Sequence, residues 1–191
     1  IALNNEEIYK AASNFTIIYE GFITYGGMAG RDMAALAQGL DEATEFDYLK
    51  SRITQIELLG NQLIEFGIPI QKPIGGHAIF VDALKFLPNI RREEFPAQTL
   101  AIELYKEAGI RGVEIGTILA DRDPETRENR FPKLELLRLA IPRRTYTDNH
   151  INYIAVALKN VFDRRAEIKK GYHITWESEI LRHFTVQLDE I

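Results

Sequence analysis

The residue best suited to chemistry is an arginine inside an apolar run. Arg138 interrupts residues 134–141, whose composition is typical of a half-buried strand, and it shares one strand face with Leu136 and Ala140. A guanidinium among apolar neighbours needs an anionic partner, and its forked donors fit a carboxylate. Arg138 is therefore a candidate for binding a ligand carboxylate, although the pattern alone favours a structural ion pair or a solvated strand face.

Two other positions carry groups that could exchange or relay protons. Tyr25 precedes the pair Gly26-Gly27, where the backbone can approach a ligand closely and the phenol can be directed into a cleft. His183 follows Arg182 at the start of a predicted strand, and an ordinary imidazole titrates at about pH 6.5. Each has a structural alternative: a packed tyrosine in an ordinary turn, and a histidine that only donates a hydrogen bond.

Composition argues against several kinds of site and partner. The four histidines, His77, His150, His173 and His183, lie too far apart for a zinc motif, and a chain without cysteine has no thiolate ligand or disulfide. The 28 acidic and 23 basic residues give a net charge of −5, which makes a nucleic-acid partner improbable. We therefore expect no metal site. No apolar run reaches the roughly 18 residues of a membrane span, and the lack of cysteine is compatible with a reducing compartment, so we expect a cytoplasmic protein.

The elements that must position these residues fall into a helical part and a mixed part. Two helices are predicted on either side of Gly26-Gly27, the second over about residues 29–43. A longer helix over about 46–66 ends at Gly67 and links two domains. From residue 68 onward, short apolar runs bounded by proline and glycine predict strands at 68–70, 78–81, 113–119, 136–141 and 184–188.

Helices are predicted between these strands, over residues 95–108 and 148–169. The second begins at Thr147 or Asp148 as its N-cap and closes near Gly171. Together the elements predict an α+β domain with a mostly antiparallel sheet and helices on one face. With 46% hydrophobic and 27% charged residues, the 191-residue chain can bury a real core.

Six blocks spread over the chain resemble one family of enzymes. In order they read YEGFITYGGMAGRD (19–32), GGHAIFVDA (75–83), FPAQ (95–98), AGIRGVEIG (108–116), LRLAIPR (137–143) and LRHFT (181–185). The family is the β-eliminating lyases that comprise tryptophanase and tyrosine phenol-lyase. Blocks that recur in the same order along the whole chain are far more specific than any single motif.

The resemblance implies the C-terminal portion of an aspartate-aminotransferase-like enzyme that uses pyridoxal phosphate. Residues 1–44 would end the large cofactor domain, 45–67 would form the linking helix, and 68–191 would form the small domain. The family's serine-lysine-lysine segment, whose second lysine forms the Schiff base with the cofactor, has no match here, and Lys169-Lys170 do not resemble it. The chain alone is therefore expected to be inactive without the missing large domain, which it would join in a homotetramer that uses potassium.

The resemblance also implies roles for single residues. Arg138 matches the arginine that binds the substrate α-carboxylate, and Tyr25 matches the tyrosine beside the cofactor, where it would position the cofactor or relay a proton as a catalytic residue. The implied reaction is β-elimination, with the pyridine ring as electron sink and with pyruvate and ammonia among the products.

Two positions bear on the choice of substrate. Ile115 stands where tyrosine phenol-lyases have the arginine that binds the phenol hydroxyl, and an aliphatic side chain packs against an indole instead. His183 followed by Phe184 matches tryptophanases, since tyrosine phenol-lyases have two phenylalanines there. We therefore expect cleavage of L-tryptophan to indole. The alternatives are cleavage of L-tyrosine to phenol and, from another class, a non-catalytic interaction domain.

Overall fold

The computed structural model describes residues 4–24 and 26–191. The helices of this part of the chain are α1 (Glu6–Tyr19), α2 (Gly30–Glu42), α3 (Phe46–Glu65), α4 (Ala83–Phe86), α5 (Pro96–Ala108), α6 (Thr117–Ala120), α7 (Asp148–Asp163) and α8 (Arg182–Thr185). The strands are β1 (Ala78–Asp82), β2 (Val113–Ile115), β3 (Leu136–Ala140), β4 (Tyr172–Trp176) and β5 (Gln187–Glu190). Short 3₁₀ turns occupy Arg92–Glu94 and Arg165–Glu167.

Contacts between residues group the chain into two compact units. The first extends to residue 49 and includes 179–181, and the second consists of 50–178 and 182–191. The first unit contains α1 and α2, neither of which has a buried residue. The helix α1 begins where the Asn5 side chain accepts a hydrogen bond from the amide of Ile8 at 3.0 Å.

Strand β3 lies in the middle of a three-stranded antiparallel sheet of order β1-β3-β2 in the second unit. Strands β4 and β5 form a separate two-stranded antiparallel sheet. The chain therefore has an α+β fold with small antiparallel sheets, which confirms the predicted class at this level. None of the helices in 4–24 and 26–191 is long and apolar enough to cross a membrane.

The two faces of β3 have different surroundings. Leu137 and Leu139 are 0% and 3% exposed and belong to the main core, together with apolar residues of α3, α5 and α7. Arg138 is only partly buried, and Ala140 is exposed. The alternation predicted from the sequence is confirmed, and the two leucines anchor the strand so that Arg138 points to the opposite face.

The strand predicted over 113–119 is only partly correct. Strand β2 ends at Ile115, and the helical turn α6 follows it. The amides of Ile118 and Leu119 each donate to the Glu114 carboxylate at 3.0 Å. The Glu114 side chain thus accepts hydrogen bonds from two amides that, in a longer strand, would pair with a neighbouring strand. The apolar composition of the segment does not indicate this side-chain pairing.

The strand predicted over 184–188 is also wrong in its first half. Residues Arg182–Thr185 form α8 and do not open the last strand, because the amide of Val186 donates to the carbonyl of Arg182 at 2.9 Å and closes a helical turn. The last strand is β5, which begins at Gln187. His183 and Phe184 therefore lie on a helical turn.

Three smaller differences concern one helix and two strands. The helix predicted to reach residue 169 ends at Asp163, and its N-cap is Thr147. The stretch 68–70 contributes only an isolated bridge between Ile70 and Val81. Strand β4 was not predicted, although its alternation of buried and exposed side chains is typical of a strand.

Candidate functional site

Arg138 occupies the centre of the three-stranded sheet. Its neighbours across the strands are Phe80 of β1 and Val113 of β2. The Nε atom is buried and has no hydrogen-bond partner in the part of the chain that the structure describes. A partly buried guanidinium with an unsatisfied donor suits an anionic ligand better than it suits a structural ion pair.

Ile115 lies on the same face of the sheet as Arg138. Val113 is paired with Arg138, Ile115 is paired with Leu136, and side chains of paired residues project to the same side. The Ile115 side chain is partly buried. The sheet thus presents a cation and an aliphatic surface about two residues apart along one face.

His183 has a defined tautomer in this arrangement. Its Nε2 lies 2.9 Å from the carbonyl oxygen of Glu114, which can only accept, so Nε2 carries the proton and donates. The Nδ1 atom is then an acceptor, and it is buried without a partner among residues 4–24 and 26–191. Burial lowers the pKa of His183, and the positive charges of Arg138 and Arg182 add to the effect. The ring is therefore neutral and has one lone pair free to accept a hydrogen bond.

Phe184 stands beside this ring. The centroids of the His183 and Phe184 rings are 5.3 Å apart, with a nearly perpendicular arrangement, and Phe184 is 49% exposed. The structure thus brings His183 next to Phe184, and Arg138 next to Ile115 on one sheet face. The remaining predicted site residue, Tyr25, lies outside the residues that the structure describes.

Glu114 is a buried carboxylate that the prediction missed. It is 2% exposed, and both of its carboxylate oxygens accept backbone amides of α6. Burial raises its pKa to about 7, against the effect of the two amides. Its Oε2 also lies 3.6 Å from His183 Nε2. The sequence does contain a signal for this residue, because Glu114 interrupts the apolar run that forms β2. A charged residue in such a run is rarely buried unless it has a structural or functional role.

Glu135 is a second buried carboxylate near the same turn. Its Oε1 accepts the amide of Thr117 at 3.0 Å as well as the Thr117 hydroxyl, and burial raises its pKa. A Cβ atom on Gly116 would lie 2.0 Å from Glu135 Oε2 and 2.7 Å from Glu114 Oε1. Only glycine therefore fits between the two carboxylates.

Arg182 is the third residue that sequence analysis did not single out. Its side chain is 1% exposed, and it donates to the carbonyls of Thr117 and Ile118 and to Asn129 Oδ1. Nothing in the local sequence distinguishes it from the exposed arginines. The residues that accept its hydrogen bonds lie more than fifty residues away along the chain, so only the fold reveals them.

His77 directly precedes β1 and makes its contacts within the second compact unit. No group of three or more histidine, aspartate or glutamate side chains among residues 4–24 and 26–191 is arranged to hold a metal ion. The His77 carbonyl accepts a hydrogen bond from Arg52 at 3.0 Å, and the His77 ring packs edge-on against Phe80. These contacts are structural.

Comparison with known proteins gives a consistent result. The family model described as beta-eliminating lyase matches residues 11–157. A probable beta-eliminating lyase of Trichomonas vaginalis is 66% identical over 191 residues, which are 100% of this chain and 42% of that protein. A tyrosine phenol-lyase of Nostoc punctiforme is 48% identical over 189 residues, or 99% of this chain and 40% of that protein. A tyrosine phenol-lyase of Pasteurella multocida is 44% identical over 189 residues, or 99% of this chain and 41% of that protein.

The chain thus spans about two fifths of the length of the curated relatives it matches.

Proposed function

The chain belongs to the beta-eliminating lyase family, and we propose that the complete gene product containing it cleaves an aromatic amino acid between Cβ and the ring. Arg138 carries this proposal. Its buried Nε atom has no partner in the described parts of the chain, and the forked donors of a guanidinium match an α-carboxylate. Arg138 would hold the substrate by that carboxylate and so fix the orientation of its Cα–H bond.

Pyridoxal phosphate would supply the electron sink for removal of the Cα proton. We place the residues that hold it in other parts of the complete protein, with Tyr25 as the residue of this chain beside it. The chain's own groups fit the amino acid: an unsatisfied cation at Arg138 and a neutral acceptor at His183 Nδ1. Potassium, a homotetramer and an aspartate-aminotransferase-like large domain remain predictions from the resemblance.

Among aromatic substrates we propose L-tryptophan, with indole, pyruvate and ammonia as products. Ile115 provides an aliphatic surface on the Arg138 face, and Phe184 provides an aromatic one beside His183. The lone pair of His183 Nδ1 suits the indole N–H, which is a donor only. A phenol oxygen would find no cationic donor at Ile115, and an unpaired polar group in such a pocket is costly.

L-Tyrosine is the second candidate because several relatives at 44–48% identity are named tyrosine phenol-lyase. In that case the phenol hydroxyl would donate to His183 Nδ1, and Ile115 would contact only the ring. Both candidates thus use His183 Nδ1 as the acceptor and Ile115 as an apolar contact, and they differ in the ring that leaves.

The test is to assay the complete gene product, loaded with pyridoxal phosphate, with L-tryptophan and L-tyrosine at equal concentration. We expect indole release to exceed phenol release. In the Ile115→Arg variant the new donor should shift the ratio of phenol to indole upward by roughly tenfold or more. Faster phenol release by the unaltered protein would make it a tyrosine phenol-lyase, and absence of pyruvate with either substrate would favour the non-catalytic alternative.

A further inference from the structure

The turn that follows Ile115 is held from two sides by charged side chains. On one side the Glu114 carboxylate accepts the amides of Ile118 and Leu119 at 3.0 Å each. On the other side the Arg182 guanidinium donates through Nε to the Ile118 carbonyl at 3.2 Å and through Nη2 to the Thr117 carbonyl. The backbone donors of the turn are thus paired with a carboxyl group and its acceptors with a guanidinium.

Each of these two charged residues is the immediate neighbour of a residue placed against the substrate. Glu114 precedes Ile115, and Arg182 precedes His183. The Glu114 carbonyl also accepts the His183 Nε2 proton at 2.9 Å. The position of the imidazole relative to Ile115 is therefore determined by one connected set of hydrogen bonds.

Arg182 is stabilised in this buried position by further partners. Its Nη1 donates to Asn129 Oδ1 at 2.6 Å, and carboxylate oxygens of Asp121 and Glu177 lie 3.7 and 3.6 Å from its nitrogens. Such a guanidinium has one fixed conformation, because a buried charge is stable only while its donors are satisfied. The four-residue helix α8 is too short to fix itself and depends on this anchor.

We propose that Arg182 is a positioning residue: through the Thr117 and Ile118 carbonyls it fixes His183 and Phe184 relative to Ile115, and so helps to select the aromatic leaving group. This rests on the proposed function of the site. Arg182 is too deeply buried to meet substrate, and it acts through the residue that follows it. A displacement of about 1 Å at a contact of this kind can lower a rate by roughly a hundredfold.

The test compares two substrates in the complete gene product loaded with pyridoxal phosphate. One is the aromatic amino acid that the unaltered protein cleaves best, and the other is 3-chloroalanine, whose chloride leaves without contact to Ile115 or His183. Arg182→Lys keeps the positive charge but loses the forked donors of the guanidinium. In this variant kcat/KM for the aromatic substrate should fall roughly ten- to hundredfold, and kcat/KM for 3-chloroalanine should change less than about threefold. Arg164→Gln, which removes the ion pairs between the end of α7 and α5, should leave the ratio unchanged.

A proportional fall for both substrates in Arg182→Lys would overturn the proposal, because a loss of folded protein acts on both. If that variant does not fold, Asn129→Ala takes its place, since it removes one acceptor and leaves the guanidinium. It should produce the same selective loss, several-fold in size, and an unchanged substrate ratio in it would equally overturn the proposal.

A second measurement does not depend on turnover. The ring nitrogens of ¹⁵N-labelled His183, identified by their absence in His183→Phe, should report a proton on Nε2 and none on Nδ1. These two chemical shifts should change in Asn129→Ala and Arg182→Lys. Unchanged chemical shifts in both variants would overturn the positioning role of Arg182. This result can be obtained even if the protein cleaves no aromatic amino acid, so it is distinguishable from failure of the proposed function.

Discussion

Two arginines of the second compact unit differ in how their charge is satisfied. Arg182 is 1% exposed, and its nitrogens are within reach of two carbonyls, an amide oxygen and two carboxylates. Arg138 is partly buried, and its Nε has no acceptor in residues 4–24 and 26–191.

The difference separates a cation that stabilises the fold from one that the fold leaves available. A buried guanidinium costs several kcal/mol unless its donors are paired. Among residues 4–24 and 26–191, the donors of Arg182 find acceptors, whereas Arg138 Nε has none. Arg138 is therefore available to a partner from outside the described residues, and an amino-acid carboxylate has a charge and shape that match its guanidinium.

The largest expected effect is that of Arg138→Ala on substrate binding. Loss of this interaction with the substrate carboxylate should raise KM and lower kcat/KM at least roughly a hundredfold. This corresponds to a loss of about 3–5 kcal/mol of transition-state stabilisation. Arg138→Lys should recover only part of this, because an ammonium cannot form the bidentate pair. The measurements are steady-state kinetics and the absorbance of bound pyridoxal phosphate, which should not change.

Stability provides the matched control for Arg138. Because the Nε atom of Arg138 has no hydrogen-bond partner within residues 4–24 and 26–191, Arg138→Ala should change the free energy of unfolding by less than about 1 kcal/mol, whereas Arg182→Ala should cost about 3 kcal/mol or more. A large loss of stability with unchanged substrate affinity in Arg138→Ala would show that Arg138 is structural, and the comparison of the two arginines would fail.

The same comparison explains what the sequence could predict. Arg138 stands out because the alternation of its own strand puts it against apolar neighbours, and this is local information. The faces of β3, the end of α3 just before Gly67 and the antiparallel class follow from local patterns in the same way.

Arg182 could not be recognised, because what distinguishes it are partners at positions 117, 118, 121, 129 and 177. The two wrong strand assignments, at 113–119 and 184–188, fall on the segments that these long-range hydrogen bonds shape. Tertiary contacts override local propensity at these segments, as strained or functional sites often require.

The second prediction concerns Glu114, whose carboxyl group accepts two amides of the turn that Arg182 also contacts. Burial raises its pKa from 4.5 to about 7. Between these values the folded chain keeps a proton that the unfolded chain has lost, so this group makes the protein less stable as pH rises, by about 3 kcal/mol in all. In Glu114→Gln that decline should be absent.

The measurement is the urea midpoint of the unaltered protein and of Glu114→Gln at pH 5 and pH 8. The variant should gain stability relative to the unaltered protein on going from the lower to the higher pH. A difference between the two proteins that is the same at both pH values would mean that Glu114 titrates normally and is already charged at pH 5.

The third prediction sharpens the role of the neutral imidazole between the two arginines. His183→Phe removes the Nδ1 acceptor while it keeps an aromatic ring beside Phe184. The ratio of kcat/KM for L-tryptophan to that for 3-chloroalanine should fall by roughly tenfold, about 1–2 kcal/mol, because the indole N–H loses its acceptor. If the ratio to 3-chloroalanine stays constant, Nδ1 does not contact the leaving ring.

The smallest expected effect belongs to a third arginine, which is paired but not buried. Arg164 lies at the C-terminal end of α7 and donates to Glu103 Oε2 of α5 at 2.8 Å, with Glu107 Oε2 at 3.4 Å. Its side chain is 31% exposed, so water screens the pair and Arg164→Gln should lower the free energy of unfolding by about 1 kcal/mol or less. Added salt should reduce that difference, because screening acts mainly on exposed charges. The measurement is urea unfolding at low and high salt. If Arg164→Gln lowers the free energy of unfolding as much as Arg182→Ala does, then pairing, rather than burial, decides what an arginine contributes to this fold.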